Sequence, residues 1–542
     1  MALPPLVLTA LVFILPYGAS LALGVGSLAA SRDYLALAVT ILPTLGFTVR
    51  QALLSTLLAL ALGIPGAYLL SSPGAGDRGA LGLLRALAGI PFALPPILVV
   101  LGFVLFFGNS GWLNRIIAAL GRNPLQVLYK PEAIILAHGF YNFPLALRLA
   151  GDSIAGARRA YLPAAVSLGA SPLKAAFTVL LPLSLPGIAA AALLVFLYCF
   201  TSFAVVLVLG GGPGASTLAV EIYRYARISA DYGAAGILAL FETLVAGAVF
   251  LLYLFFEARI GRINTAEDRD RMMGLRRGPP FFAALGLYGL VLAFLVLGPI
   301  LSVPLESFLQ KASRAGAARL SLGWWLTIGE RALPALGRSL ILAFSSAALS
   351  CLLAVLAGGA VLKRTAEGRR EKSPRLLDTL LKMAVLSPLA SSGIVLGLGW
   401  LILYGREQSR SFLSVTLVHA VIALPFAFNS ISQGLKNLPP NLLNAGASLG
   451  AGPLAQLFSL ALPAAAPRLR SAWAFAAAIS LGELNAVMML GTEDWETLPL
   501  LIYRAVGAYR YGAACAAGTL LILCCAALFL LADLGAFGKQ RR

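Results

Sequence analysis

The sequence predicts an all-α polytopic membrane protein, with about twelve transmembrane helices arranged as two parallel six-helix repeats. Three observations carry that prediction: an apolar composition, apolar runs of spanning length, and an internal repeat offset by 281 residues. Of 542 residues, 59% are hydrophobic and only 12% are charged, and the mean hydropathy is +0.89. A soluble chain of this size carries about 25% charged residues to cover its surface, which excludes a string of soluble domains. The apolar residues gather in runs of about twenty or more, the helix length that crosses a ~30 Å hydrocarbon layer.

Twelve such runs are read, the first six at 3–25, 47–70, 84–107, 132–150, 185–209 and 234–256. The second six fall at 281–303, 335–362, 379–404, 412–433, 471–490 and 511–534. Between the sets lies 257–280, EARIGRINTAEDRDRMMGLRRGPP, the most polar stretch of the chain and a linker. The expected organisation is therefore a first half at 1–256, the linker at 257–280 and a second half at 281–542. The run Leu3–Leu23 lacks a basic start and is long, so it reads as a retained helix rather than a cleaved signal peptide.

The net charge of +19 belongs to the loops, not to a nucleic-acid surface, because the basic residues lie between apolar runs. With the termini, the linker and every second loop on one side, that side holds 25 of the 41 Lys and Arg residues and the opposite side 14. The positive-inside rule then places both termini and the linker in the cytoplasm. The five cysteines, Cys199, Cys351, Cys515, Cys524 and Cys525, sit in apolar segments without CxxC or Cys/His spacing and read as small core residues. Two histidines are too few for a conventional metal site, and none is expected.

The repeat decides the architecture. At a shift of 281 residues His138 matches His419, Pro144 matches Pro425, and Ser167-Leu168-Gly169-Ala170 matches Ser448-Leu449-Gly450-Ala451. Phe177 matches Phe458, Leu181-Pro182 matches Leu462-Pro463, and Pro186 matches Pro467. The shift slips to 280 for Ile222-Tyr223-Arg224 against Ile502-Tyr503-Arg504, and to 279 for Tyr232-Gly233-Ala234-Ala235 against Tyr511-Gly512-Ala513-Ala514. Six spans per half give both halves one orientation, related by a pseudo-two-fold along the membrane normal with any pathway between them.

The best-matched segments are loops, 152–184 and 433–466, both cytoplasmic on this topology. Each reads as a short helix, Ser-Leu-Gly-Ala, then a second helix ending in Leu-Pro. Glycine permits the tight reversal and proline cannot continue the preceding helix. Such a loop, presented twice, suits a partner with two equivalent sites. The pattern resembles the EAA loop of binding-protein-dependent ABC importer permeases: Glu-Ala-Ala, three residues, Gly, nine residues, then Ile-x-Leu-Pro. The first copy keeps Ala164, Ala165, Gly169, Val179, Leu181 and Pro182. The second keeps Ala445, Gly450, Leu460, Leu462 and Pro463, with Gly446 for the second alanine. Pro163 and Asn444 replace the glutamate, which puts its charged contact in doubt but not the docking geometry.

The resemblance covers nearly the whole chain and is to fused two-half permeases of the thiamine and ferric-iron importers. It is closer to the thiamine branch in 207–235, in ILAHGFYNFPLALRL (135–149) and in SLGELNAVMMLGTEDWETLPLLIYR (480–504). It implies the type I ABC importer permease fold in a bacterial inner membrane, and docking of two copies of an ABC ATPase on the two loops. It also implies a periplasmic or lipid-anchored substrate-binding protein outside, and thiamine or a phosphate ester as cargo with ferric iron as the alternative. No GxxxxGK[ST] occurs, so ATP and magnesium are expected on the separate ATPase, no cofactor on this chain, and no enzymatic activity of its own. The rival class, an ion-coupled secondary transporter, needs intramembrane carboxylates, of which only Glu242 and Glu483 qualify, and it leaves the repeated loops unexplained. A membrane enzyme has no catalytic constellation to support it.

Ionisable groups inside spans are functional candidates by default. Glu483, in Ser480-Leu-Gly-Glu-Leu-Asn485, suits a cationic cargo whose rings lie against aromatic faces; its other reading is a hydrogen bond that fixes helix packing. The shifted position holds Ser202, in the segment Tyr198–Phe203. Glu242, Tyr198, Tyr141 and Asn142 are further pathway candidates. The duplicated His138 and His419 favour a structural role such as capping a neighbouring helix. Pro91, Pro95 and Pro96 are expected to break or kink the third span. Outside the membrane, Arg224 and Arg504 are candidates for meeting acidic groups of a binding protein, with lipid phosphates as their other reading.

Overall fold

The computed structural model describes residues 2–31, 34–70, 80–210, 212–260, 278–311, 318–366, 376–436, 438–491 and 495–537. Residues 261–277, most of the expected linker, lie outside the described residues. Helix dominates, as it must where no water is present to take backbone N–H and C=O groups. Among the described residues ten helices are long and apolar enough to cross a membrane, and eleven if the pair Thr379–Ala390 and Gly393–Ser409, bent by 106°, counts as one span.

The difference from twelve has a local cause. The span expected at 471–490 is helix Ala466–Gly482 followed, after Glu483 and Leu484, by helix Asn485–Leu490, each too short alone. The expected third span is also divided. Helix Ala80–Ala93 stops at Leu94 and Pro95, and helix Pro96–Phe107 follows, at prolines that have no N–H to continue the ladder. In the bent pair Ser392 caps the second member, its hydroxyl accepting the Val395 N–H at 3.2 Å.

Prolines leave a second mark. Four wide π turns each end two residues before a proline: Ala10–Ile14 before Pro16, Ala176–Leu180 before Pro182, Ala293–Leu297 before Pro299, and Gln456–Ala461 before Pro463. A proline removes one i→i−4 bond and its ring presses on the carbonyl one turn earlier. Widening that turn absorbs the conflict without ending the helix. A fifth π turn, Arg224–Ile228, has no such proline and runs out at Ser229.

The chain forms two compact units, neither contiguous in sequence. One comprises Met1–Ser31, Ile222–Leu240 and Ser307–Arg542; the other comprises Arg32–Glu221 and Phe241–Glu306. Helix Leu3–Ala30 therefore packs on Gly393–Ser409 in the first unit, and helix Pro279–Ser307 packs beside Pro96–Phe107 in the second. Both approaches set a glycine against a proline that follows a π turn. A Cβ on Gly399 would overlap the Pro16 carbonyl, and one on Gly102 would lie 2.6 Å from the Pro299 carbonyl oxygen. In the first unit the carbonyls near Pro16 find donors across the contact. Trp400 Nε1 donates to Val12 O at 2.9 Å and Tyr404 Oη donates to Leu11 O at 2.8 Å. In the second unit Phe103 and Phe107 stand at the same spacing from Gly102, and Phe107 packs on Phe294 with ring centroids 6.2 Å apart.

Interhelical hydrogen bonds in a bilayer contribute about 1 kcal/mol each. The double variant Trp400→Phe, Tyr404→Phe is thus expected to lower stability by about 1–2 kcal/mol, read as a lower unfolding temperature of the purified chain. Trp473→Phe serves as the control, since no hydrogen bond of that indole enters the contact.

Candidate functional site

The two repeated loops, 152–184 and 433–466, are built alike at the turn and differently on the way in. In the first copy no separate short helix precedes the turn; helix Pro131–Ser167 runs unbroken through the segment. In the second, helix Phe412–Lys436 ends and Pro440–Ser448 is a helix of its own. The cause is Pro439-Pro440, which stands where the first copy has Arg158-Arg159. Arginines keep their N–H groups in the ladder, and Arg158 goes further. It is 1% exposed, lies 5.1 Å from the centre of the Tyr68 ring, and donates through Nη2 to Tyr68 O at 3.3 Å. A guanidinium on the last carbonyls of helix Tyr34–Leu70 also complements that helix's negative end.

The turns themselves coincide. Gly169 and Gly450 both have φ +79°, a left-handed conformation that glycine adopts without the Cβ penalty. Each closes a Schellman cap. Gly169 N–H donates to Val166 O at 2.9 Å and Ala170 N–H to Ala165 O at 3.0 Å; Gly450 N–H donates to Ala447 O and Ala451 N–H to Gly446 O, both at 3.0 Å. Ala164 and Ala445 are exposed and accept from Leu168 and Leu449 N–H, both at 3.1 Å. At the position of the family's glutamate the backbone is still used: Ser167 Oγ donates to Pro163 O at 2.9 Å and Ser448 Oγ to Asn444 O at 3.0 Å. The tips are apolar and open to solvent, Leu168 at 88% and Leu449 at 87% exposure, with Phe177 and Phe458 also exposed. Pro182 and Pro463 lie exposed just beyond the π turns that close the loops.

The glycine that replaces the second alanine has a steric reason. A Cβ on Gly446 would lie 2.5 Å from Leu460 Cδ1. The first copy pairs Ala165 with Val179 at the matching positions. One methyl moves from one side of the contact to the other, and the packed volume is kept.

The polar residues within the spans fall into separate settings. In the second unit Ser202 lies in the break between helices ending at Phe200 and starting at Ala204. His138 bridges to it: Nε2 meets Ser202 Oγ at 2.8 Å and Nδ1 meets Gln51 Oε1 at 3.1 Å. Gln51 Nε2 donates to Cys199 O at 2.9 Å, a carbonyl in the last turn before the break, and Asn142 Nδ2 donates to His138 O at 3.1 Å. Gln51, His138 and Asn142 are all buried. Tyr198 and Tyr141 are half-buried in the same unit, and Glu242 is buried on helix Tyr232–Ile260. In the first unit His419 Nδ1 meets Ser480 Oγ at 2.9 Å, while Glu483 Oε1 accepts the Ala486 N–H at 3.1 Å and so caps the helix after the break. Gln51 carries no motif; only its place in an apolar run marks it.

On the opposite face Arg504 is engaged within the chain. Its Nη1 lies 2.9 Å from Glu496 Oε1, and Arg331 Nη2 lies 3.1 Å from Glu496 Oε2. Arg224 is exposed, and the neighbouring Arg227 packs over left-handed Gly491. Glu496, which no motif marks, adjoins Thr497; at the shift of 280 Thr217-Leu218 matches Thr497-Leu498.

The volume exchange in the loops makes a direct prediction. Gly446→Ala alone is expected to destabilise the chain by about 1–3 kcal/mol through overpacking, and adding Leu460→Val to restore most of the loss in a thermal-unfolding measurement.

Comparison with known proteins agrees with this geometry. Residues 56–262 match the model of the family described as binding-protein-dependent transport system inner membrane component. The thiamine transport system permease protein ThiP of Brucella abortus (strain 2308) is 30% identical over 91% of this chain and 88% of its own length. That of Escherichia coli (strain K12) is 28% identical over 84% and 82%. The putative 2-aminoethylphosphonate transport system permease protein PhnU of Salmonella typhi is 31% identical over 31% of this chain and 59% of its own. The chain belongs to the family of binding-protein-dependent transport permeases, multi-pass components of the inner membrane.

Proposed function

We propose that this chain is the transmembrane subunit of an ATP-driven importer that moves thiamine, or its phosphate esters, from a binding protein into the cytoplasm. The observation that carries the reading is the pair of identical left-handed turns with apolar tips at Leu168 and Leu449, in a chain whose relatives over most of its length are named thiamine permeases. Two ATPase subunits, holding ATP and magnesium, dock on 152–184 and 433–466, one per sequence half (1–256 and 281–542). The termini and the linker face the cytoplasm, in keeping with the distribution of Lys and Arg. Nucleotide binding on the ATPases biases one of two arrangements of the permease, and hydrolysis resets it.

On the cargo side a carboxylate at Glu483 suits a thiazolium-like cation, and the Tyr141 and Tyr198 rings suit its flat faces, with Ser202, Asn142 and Glu242 in supporting positions. On the periplasmic side Arg224 meets acidic groups of the binding protein, and Arg504 does so through the network it shares with Glu496.

Uptake of labelled thiamine and labelled ferric iron in cells with and without the chain tests the cargo. Loss of thiamine uptake alone is expected; loss of iron uptake alone overturns the cargo and keeps the importer. The docking assignment has its own test. Gly169→Val with Gly450→Val places branched side chains in the left-handed region at a cost of about 1–3 kcal/mol each, and is expected to abolish uptake while the chain stays in the membrane. Leu168→Asp with Leu449→Asp leaves the turns intact and is expected to abolish co-purification of the ATPase; normal co-purification counts against docking at these tips.

A further inference from the structure

The two histidines of the chain occupy matching places and are held differently. His138 uses both ring nitrogens, toward Gln51 and Ser202. His419 is 1% exposed and uses Nδ1 alone; its Nε2 has no hydrogen-bond partner among the described residues. A buried polar atom left unpaired is costly and asks for a cause. At a shift of 281 the residues around His138 change character: Gln51 becomes Ala332, Asn142 becomes Ala423, Cys199 becomes Ser480, and Ser202, the partner of Nε2, becomes Glu483. The Ser480 contact sets the imidazole against the helix one turn before Glu483. The internal correspondence thus puts residue 483 where a side chain meets Nε2 in the other copy. In this structure the Glu483 carboxylate is turned instead to the N–H of Ala486, beside Gly393, where a Cβ would come within 3.2 Å of Oε1.

We propose that His419 is a positioning residue for Glu483, whose carboxylate exchanges between two holds, the Ala486 N–H seen here and Nε2 of His419. The first copy spends the same geometry on a neutral hydroxyl, with both ring nitrogens of its histidine engaged. The second has stripped the network to one histidine and placed a longer, charged arm opposite it. Such an arm has two stations, and whatever biases one station, cargo or the ATP-driven rearrangement, biases the other. The inference rests on the proposed role of Glu483 toward a cationic cargo.

The chain has only two histidines, so nitrogen-15 labelling of histidine gives a resolvable spectrum from the full complex with unlabelled ATPase and binding protein in lipid nanodiscs. The side-chain nitrogen signals of His419 are expected to differ between the nucleotide-free complex and one trapped with a non-hydrolysable ATP analogue. That difference is expected to vanish in Glu483→Gln, with His138 unchanged throughout. His419 signals indifferent to both trapping and Glu483→Gln overturn the proposal. Thiamine uptake gives the second readout: Glu483→Gln and His419→Gln are each expected to lose about tenfold, and the double variant no more than Glu483→Gln alone. A multiplicative loss of about a hundredfold overturns the coupling, and His138→Gln combined with Glu483→Gln is the multiplicative control. Wild-type uptake by Glu483→Gln removes the residue from the cargo's path, while the spectrum still decides whether His419 holds its carboxylate.

Discussion

A proline inside a helix withholds one N–H and leaves a carbonyl one turn earlier without its partner, and much of this structure is arranged around that deficit. The turn before the proline widens in four places, at Pro16, Pro182, Pro299 and Pro463, so the helix continues with its carbonyls displaced. Displaced carbonyls are useful. At Pro16 and Pro299 they allow another helix to come close enough that only glycine fits, Gly399 in one case and Gly102 in the other. At Pro16 they are also acceptors for Trp400 and Tyr404. The local exception therefore becomes the long-range contact by which the first helix of each sequence half joins a compact unit built mainly from the other half. At Pro182 and Pro463 the same device closes the repeated loops.

The repeats keep backbone and exchange side chains. Both loops hold their glycine at φ +79° with the same cap hydrogen bonds, although one is entered by a continuous helix and the other by a separate one. Under the turn, alanine against valine becomes glycine against leucine. A partner that recognises the turn and its leucine tip meets equivalent geometry at both loops, while the supporting layer is free to drift as long as its volume is conserved. The family's glutamate lies outside the conserved geometry: the carbonyl at its position still accepts a serine hydroxyl in both copies, so the cap survives without the acid.

What could be read in the sequence is what depends on neighbours in the chain. The glycine turn and the proline breaks carry their structural meaning within a few positions. The exchange of first helices does not, because Gly399 looks like any glycine in an apolar run until Pro16 is set against it. Gln51 was illegible for the same reason: its partners, His138 and the Cys199 carbonyl, come from two other helices. The eleventh run, 471–490, reads as continuous because hydropathy averages over a window, and one carboxylate among apolar residues lowers that average only slightly. The break at Glu483 is a backbone event that only hydrogen bonding reveals.

Similar backbones carry unequal polar groups in the two halves. Around His138 four side chains, Gln51, His138, Asn142 and Ser202, tie three helices and the break before Ala204 into one network, and a buried hydrogen-bonded network resists rearrangement. Around His419 alanines fill two of those places, so the matching break is held by a serine contact and a carboxylate cap. Ser216 stands where Glu496 pairs with both Arg331 and Arg504 in the second half, so the halves also differ in charge there. The duplication supplies the two turns with the same φ and the same cap hydrogen bonds, and the interior side chains are where the copies diverge.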